Sequence, residues 1–299
     1  MEIWIYFTLL AATMQAVRTA GQKQLSGKLN AMATTAVRYL YALPFAWVYL
    51  VWMLSFKEVE TPNLNNQFLV YGLIACVTQI IGTVFLVAAF RYKNFAVATS
   101  LAKTEAIQVA VVGAFLFAAP LSFMGWFSVI VGVIGVFFVS KVKFDFRHAM
   151  VGTDAMSGLL FGLGAGLGLA ITTLLIREAS LALNIDLMVS AAVTLVFMIT
   201  IQTFISIVFV YFQDKSQLKL MLKHWRLCLF VGITSVLGSI GWFTATSFQT
   251  AAYVKALGQV EFFITLALTY RLFKEKITAI EYLGMFLIIL SVVILLLWA

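Results

Sequence analysis

Apolar stretches of about 20 residues alternate with short polar breaks along almost the whole chain. Ten can be drawn, at about 3–20, 31–54, 67–90, 95–117, 121–140, 151–175, 187–212, 227–246, 251–272 and 277–298. About 20 residues of helix cover the roughly 30 Å of hydrocarbon in a bilayer. Lipid satisfies no exposed N–H or C=O, so such runs are predicted to be transmembrane helices. Only a few residues join spans 3 and 4, 4 and 5, and 8 and 9, which predicts tight helical hairpins. The longest connections, about a dozen residues, are too short for a soluble domain. The first stretch opens on Met1–Glu2, acidic rather than basic, with no prompt small-residue cleavage site, and is read as a span rather than a leader. With three prolines in all (Pro44, Pro62, Pro120), proline-broken spans are not expected.

Composition agrees with this pattern. The chain is 63% hydrophobic and 11% charged, with mean hydropathy +1.03, far from soluble averages. Its net charge of +8 is read as topology charge rather than a nucleic-acid footprint, because no sizeable aqueous domain exists to present it. The odd-numbered loops hold Arg18, Lys23, Lys28; Arg91, Lys93; Lys141, Lys143, Arg147; Lys215, Lys219, Lys223, Arg226; and Arg271, Lys274, Lys276. The even-numbered loops and the termini hold only Lys57 and Arg177. Short basic loops stay in the cytoplasm, so both termini are predicted outside, in the periplasm for an inner-membrane protein. Trp4, Trp52, Trp126, Trp225 and Trp298 sit near span ends, as interfacial anchors do. Cys76 and Cys228 lie in or at the edge of spans and read as apolar packers, not a disulfide.

Against this background two carboxylates stand out. Glu105 and Glu261 lie near the middle of spans 4 and 9, 156 positions apart (261 − 105). Insertion scales put the penalty for an aspartate at a helix centre at roughly 2.5–3.5 kcal/mol. The same shift of 156 carries Met32, Ala36 and Val37 onto Met188, Ala192 and Val193. It also carries Ala89, Ala96, Leu101, Leu116 and Phe117 onto Ala245, Ala252, Leu257, Leu272 and Phe273. The chain thus reads as two five-span halves, 1–146 and 147–299, divided in the basic stretch 141–147. An odd number of spans makes the second copy enter the membrane from the opposite side. The expected fold is all-α and integral to the membrane, ten transmembrane helices in two inverted five-helix repeats, a plan that places binding at the midplane between the halves. Span 6 carries Gly158, Gly162, Gly164, Gly166 and Gly168; its two GxxxG registers suit close packing within the chain, a dimer face or a flexing helix.

Span count, repeat and the exit of span 9 together resemble the drug/metabolite transporter (DMT) superfamily, in particular its ten-span EamA-like members. Val260-Glu261-Phe262 stands where the family often has Leu-Glu-Pro, and Lys274-Glu275-Lys276-Ile277-Thr278 where it has Gly-Glu and a turn. Glu105-Ala106 replaces a frequent Thr-Pro, and Ala118-Ala119-Pro120 replaces the first-half Gly-Glu turn. With an uncharged turn after span 4 and a basic one after span 9, this chain looks inserted the other way up from many relatives. The resemblance implies a membrane transporter, and because no nucleophile–base or metal constellation occurs in the sequence, enzymatic activity is not expected.

Arg38, Lys103 and Lys255 are the cations within spans, with Gln15, Gln79, Thr99, Gln108, Gln202, Trp242, Tyr253 and Gln259 as polar companions. At 100° per residue, Thr99 shares a helix face with Lys103, and Lys255 with Gln259. Arg38, Lys103, Lys255, Gln259, Gln79, Trp242 and Tyr253 are therefore the candidate substrate-binding residues. Glu261 and Glu105 are candidates for proton coupling or for ion pairs that fix helix packing. Arg18 and Lys255 could instead snorkel to an interface. No HExxH, Walker loop or CxxC occurs, and His148 and His224 fall in loops, so neither metal nor cofactor is expected. Expected partners are the bilayer and a small polar metabolite bearing a carboxylate or phosphate, moved by gradient-driven alternating access; nucleic acid is not expected. A flippase for a lipid-linked anion is the alternative, and the chain is expected to act as monomer or homodimer.

Overall fold

The computed structural model describes residues 2–57, 62–89, 104–117, 121–139, 153–261, 263–264 and 279–298. Every regular element among them is an α-helix. In chain order these are α1 (Ile3–Ser26), α2 (Ala31–Leu40), α3 (Leu43–Lys57), α4 (Asn66–Ala89), α5 (Glu105–Leu116) and α6 (Phe123–Val139). They are followed by α7 (Thr153–Ala182), α8 (Leu187–Gln213), α9 (Ser216–Lys223), α10 (Trp225–Phe248), α11 (Ala251–Gly258) and α12 (Ala279–Trp298). Five units among the described residues are long and apolar enough to cross a membrane: α2 with α3, α4, Leu160–Ala182 of α7, α8 and α10. The chain is a multi-pass membrane protein. Helices α5, α6 and α12 contribute shorter apolar runs. Large apolar side chains such as Trp47, Phe115, Phe204 and Phe212 face outward, while Thr34, Thr35, Ser190, Thr194, Gln202 and Ser206 are fully buried. That is the distribution lipid selects, since the surroundings are as apolar as leucine and polar groups find partners only inside.

Local chemistry sets the helix starts. Asn30 Oδ1 accepts from Ala33 N at 2.7 Å before α2, and Asp186 Oδ1 accepts from Met188 N at 3.0 Å and Val189 N at 3.2 Å before α8. Both are N-caps, and they stand at the same register of the repeat. Between α7 and α8 the chain turns through Asn184, whose φ of 53° lies in the left-handed region that asparagine tolerates.

Span 2, expected unbroken over 31–54, is in fact two helices. The break falls at Tyr41–Ala42, just before Pro44, whose ring carries no N–H to bond the carbonyl four residues back. Gly232 of α10 packs into this corner: a Cβ there would lie 2.7 Å from the Tyr41 carbonyl carbon. The expected lack of proline breaks is therefore corrected.

The main packing joins the halves. A shift of 156 carries Ala31–Lys57 onto Leu187–Gln213, the bounds of α8, and the α2–α3 unit packs on that counterpart. The two run antiparallel. Lys57 Nζ at the end of α3 lies 3.2 Å from Asp186 Oδ2 at the start of α8, and Asn30 N before α2 donates to Gln217 Oε1, past the end of α8, at 3.0 Å. Helix α1 packs along α10 and α4 along α7, a pair of contacts that exchanging the halves interconverts, and α6 packs along α12. Small residues set the approach. A Cβ on Gly168 of α7 would lie 3.0 Å from Gly82 Cα of α4, and one on Gly241 of α10 would lie 2.6 Å from Phe7 O of α1. Of the uses open to the span-6 glycines, Gly164 (against Phe85) and Gly168 serve packing within the chain.

Candidate functional site

The two glutamates share a local setting. Glu105 is the first residue of α5, after the turn residue Thr104. α11 stops at Gly258, Gln259 and Val260 form a turn, and Glu261 is the next helical residue. Each carboxylate thus sits where a helix begins and backbone N–H groups lack intrahelical partners, the favourable end of the helix dipole for an anion. Both are buried.

Their partners come from other helices. Lys255 Nζ of α11 lies 2.7 Å from Glu105 Oε1, and each side chain keeps 12% exposure. The same ammonium stands 4.1 Å from the centroid of the Trp242 ring on α10, a cation–π contact that shields it from the apolar core. The Thr173 hydroxyl of α7 lies 3.4 Å from Glu105 Oε1 while donating to Leu169 O at 2.8 Å. Gly258 allows this geometry, since a Cβ there would lie 2.5 Å from Trp242 Cη2.

Gln15 of α1 ties the second glutamate into the same network. Its Nε2 donates to Glu261 Oε2 at 2.9 Å, and its Oε1 accepts from Trp242 Nε1 at 2.9 Å and from Arg18 Nη2 at 3.3 Å. An indole N–H can only donate, so it fixes the amide with oxygen towards Trp242 and NH2 towards Glu261. Glu105, Thr173, Lys255, Trp242, Gln15, Arg18 and Glu261 are thereby linked. The Glu105–Lys255 and Gln15–Glu261 contacts both cross between the halves.

Other sequence candidates go elsewhere. Arg38 of α2 donates through Nη1 to Thr83 Oγ1 of α4 at 3.0 Å and lies within electrostatic reach of Arg18. Gln79 of α4 accepts from Gln202 Nε2 of α8 at 2.8 Å and belongs to that seam. Gln259 was expected on one face with Lys255. The turn after Gly258 ends the helical register, and Gln259 lies against Gly132 of α6 and Ser291 of α12 instead. Tyr253 packs towards Gly125 of α6. Gln108 donates to Thr104 Oγ1 at 3.0 Å. Lys103 lies outside the described residues.

Arg18 was read as a charge at the end of span 1. It lies two turns inside α1, 4% exposed, because α1 continues to Ser26. Arg177 was likewise read as a loop charge. It is inside α7, where Nη1 donates to Thr246 O at 2.7 Å and Gln249 O at 2.6 Å, satisfying carbonyls at the end of α10. Thr173 and Arg18 were missed as site residues, and Gln15 was named only as a companion. The spacing of Gln15, Arg18 and Gln22, one polar stripe along an otherwise apolar helix, was the available signal.

A multi-pass helical bundle with a charged network buried between its halves defines the class: a membrane protein with a polar centre. The chain belongs to the EamA-like transporter family, whose model matches residues 2–141 and again 156–297. EamA lies within the DMT superfamily, so the resemblance read from the sequence is borne out, and the protein is a membrane transporter of the DMT type. No match was found among curated proteins. A solved structure described only as "Crystal structure of protein" is similar over 99% of this chain and 98% of its own, with TM-score 0.75 and 14% identity. At that identity the likeness concerns the fold alone.

Proposed function

We propose that the protein is a secondary transporter that moves a small polar metabolite bearing a carboxylate or phosphate across the bacterial inner membrane by alternating access. In this reading ten spans form two inverted five-helix halves, which rock about the buried network and expose it to each side in turn. The carrying observation is the pair of cross-half contacts, Lys255–Glu105 and Gln15–Glu261. Such contacts join the surfaces that must part and rejoin during a cycle. Among the described residues, three cations (Arg18, Arg38, Lys255) meet two carboxylates (Glu105, Glu261) in the interior, an excess that favours an anionic substrate. The two glutamates are the proposed sites of proton coupling.

The test is flux into proteoliposomes of labelled amino acids, organic acids and phosphorylated compounds under an imposed pH gradient. We expect gradient-driven uptake of an acidic solute, and Glu261→Gln should abolish the pH-driven component while leaving exchange. Uptake equal to that of empty liposomes for every acidic solute would refute the reading.

One observation bears on the flippase alternative. A lateral groove of about 560 Å³ lies between α2, α4 and α8, lined by apolar residues such as Val77, Ile81, Phe85 and Phe209, with Asn30 and Gln213 at its polar end. It could take an acyl chain. Arg18, Arg38 and Lys255 do not line it, so among the described residues it offers a lipid-linked anion no buried cation, which favours the soluble substrate.

A further inference from the structure

Resting on the transporter reading, we propose that Arg18, supported by Arg38, is the seat of the substrate's oxyanion, and that Lys255 is not. Lys255 is committed to Glu105 at 2.7 Å. Arg18 is in the opposite state. Arg18 is 4% exposed as a residue, and among the described residues its guanidinium makes one hydrogen bond, the 3.3 Å contact from Nη2 to Gln15 Oε1. Its Nε and Nη1 have no partner among the described residues. One turn further along the same face, Gln22 is 1% exposed and both its amide atoms lack a hydrogen-bond partner among the described residues. Helix α2, which packs on α1, carries a matching pair. Thr34 is fully buried with a hydroxyl that has no hydrogen-bond partner among the described residues, and one turn on stands Arg38, close enough for its charge to bear on Arg18.

These groups leave a specific chemical demand unmet. An arginine stays protonated under physiological conditions, and its open N–H groups are expensive when buried. Two guanidinium groups in electrostatic reach repel each other strongly at low dielectric unless an anion lies near. The Glu261 and Glu105 carboxylates offset part of that repulsion at a distance, but among the described residues neither accepts a hydrogen bond from Arg18 Nε or Nη1, and Glu105 is held by Lys255. A carboxylate or phosphate entering from either side would accept from the open Arg18 nitrogens and relieve the repulsion from Arg38. Through Arg18 and Gln15, its arrival would be felt at Glu261.

The experiment uses the full chain in nanodiscs and reads thermal stability against added acetate, inorganic phosphate, short-chain phosphatidic acid and acetamide. For the wild type we expect saturable stabilisation by acetate or phosphate and none by uncharged acetamide. Arg18→Gln should raise the half-saturating concentration about tenfold or more, the size set by losing a charge-assisted hydrogen bond. Arg18→Lys, which keeps the charge, should fall between, and it decides the matter if Arg18→Gln does not fold. Stabilisation by phosphatidic acid where inorganic phosphate has no effect would keep the oxyanion seat and assign it to a lipid headgroup. Equal half-saturation in wild type and Arg18 variants, or no stabilisation of the wild type by any oxyanion, would overturn the proposal. Flux separates the two levels. Transport of a solute without an acid group, undiminished by saturating acetate, removes the seat and leaves the transporter. Arg18-dependent binding without flux under any gradient does the reverse.

Discussion

The Glu105–Lys255 pair carries the largest single-residue stakes. Removing one member leaves the other charged and buried, at a cost of about 3–5 kcal/mol, whereas replacing both with apolar or neutral groups of similar size is close to neutral. We therefore expect Glu105→Gln and Lys255→Met each to lower the melting temperature of the purified protein sharply, and the double variant to recover most of the loss. Additive losses would show that the two do not act as a pair. Gly258 is the second sensitive position. A Cβ there would press on Trp242 at 2.5 Å, so Gly258→Ala should displace the indole and weaken its bond to Gln15. A change in tryptophan emission, absent in a Trp242→Phe background, would report this. Of these residues Glu105, Lys255, Trp242 and Glu261 were legible in the sequence, because a charge or a polar ring in an apolar run is conspicuous. Gln15 was less so: an amide in hydrocarbon acquires its meaning from the indole and carboxylate it bridges, 227 and 246 positions away.

At the scale of elements, the described breaks fall where polar groups are needed. The α2–α3 corner lies three residues beyond Arg38, and the turn after α11 immediately precedes Glu261. Hydropathy sees neither, since each break lies inside a run of about 20 residues whose average stays apolar. Pro44 marked the first break; the second has no proline and depends on packing. Helix starts were better written, as the N-caps Asn30 and Asp186 show. Asp186 also gives a pH prediction. Burial by itself would raise its pKa, but the Val189 amide, Lys57 and the Met188 amide outweigh it and hold the carboxyl below the ordinary aspartate value. A depressed carboxyl contributes stability that is complete above its unfolded pKa, about 3.9, and is lost as pH falls through the folded value. Asp186→Ala should therefore cost about 1 kcal/mol at neutral pH, and the gap from wild type should narrow on acidification. Thermal unfolding of both proteins between neutral and acid pH checks it, and a constant gap would count against the linkage.

For the whole molecule, the decisive feature is that each major helix contact among the described residues either maps onto itself or exchanges with another when the halves are swapped. The antiparallel fit of α2–α3 on α8 is what an inverted duplication produces, and the two stretches matching the EamA model fit the same plan. The orientation proposed from the sequence rests on charge placement. Moving Arg18 and Arg177 from loops into helices leaves the basic loops on the predicted cytoplasmic side, with Lys57 on the other. An alkaline phosphatase fusion at the C-terminus should thus be active, and a fluorescent protein fused there through the same secretion route should be dark. The opposite pattern would reverse the assigned faces.

The sequence by itself determined that the chain lives in lipid, that it is built of helices, that it is internally duplicated and which family it joins. Each of these is written in local composition or in a constant shift between positions, and lipid leaves the backbone no alternative to helix. Only the tertiary structure decided which polar groups meet. It paired Lys255 with Glu105, turned Gln259 away to the α6–α12 seam and drew Arg18 into the interior. The physical reason is that a buried polar group is defined by partners from other helices, brought to it by glycine-mediated approaches and helix breaks that no periodicity along one span reveals.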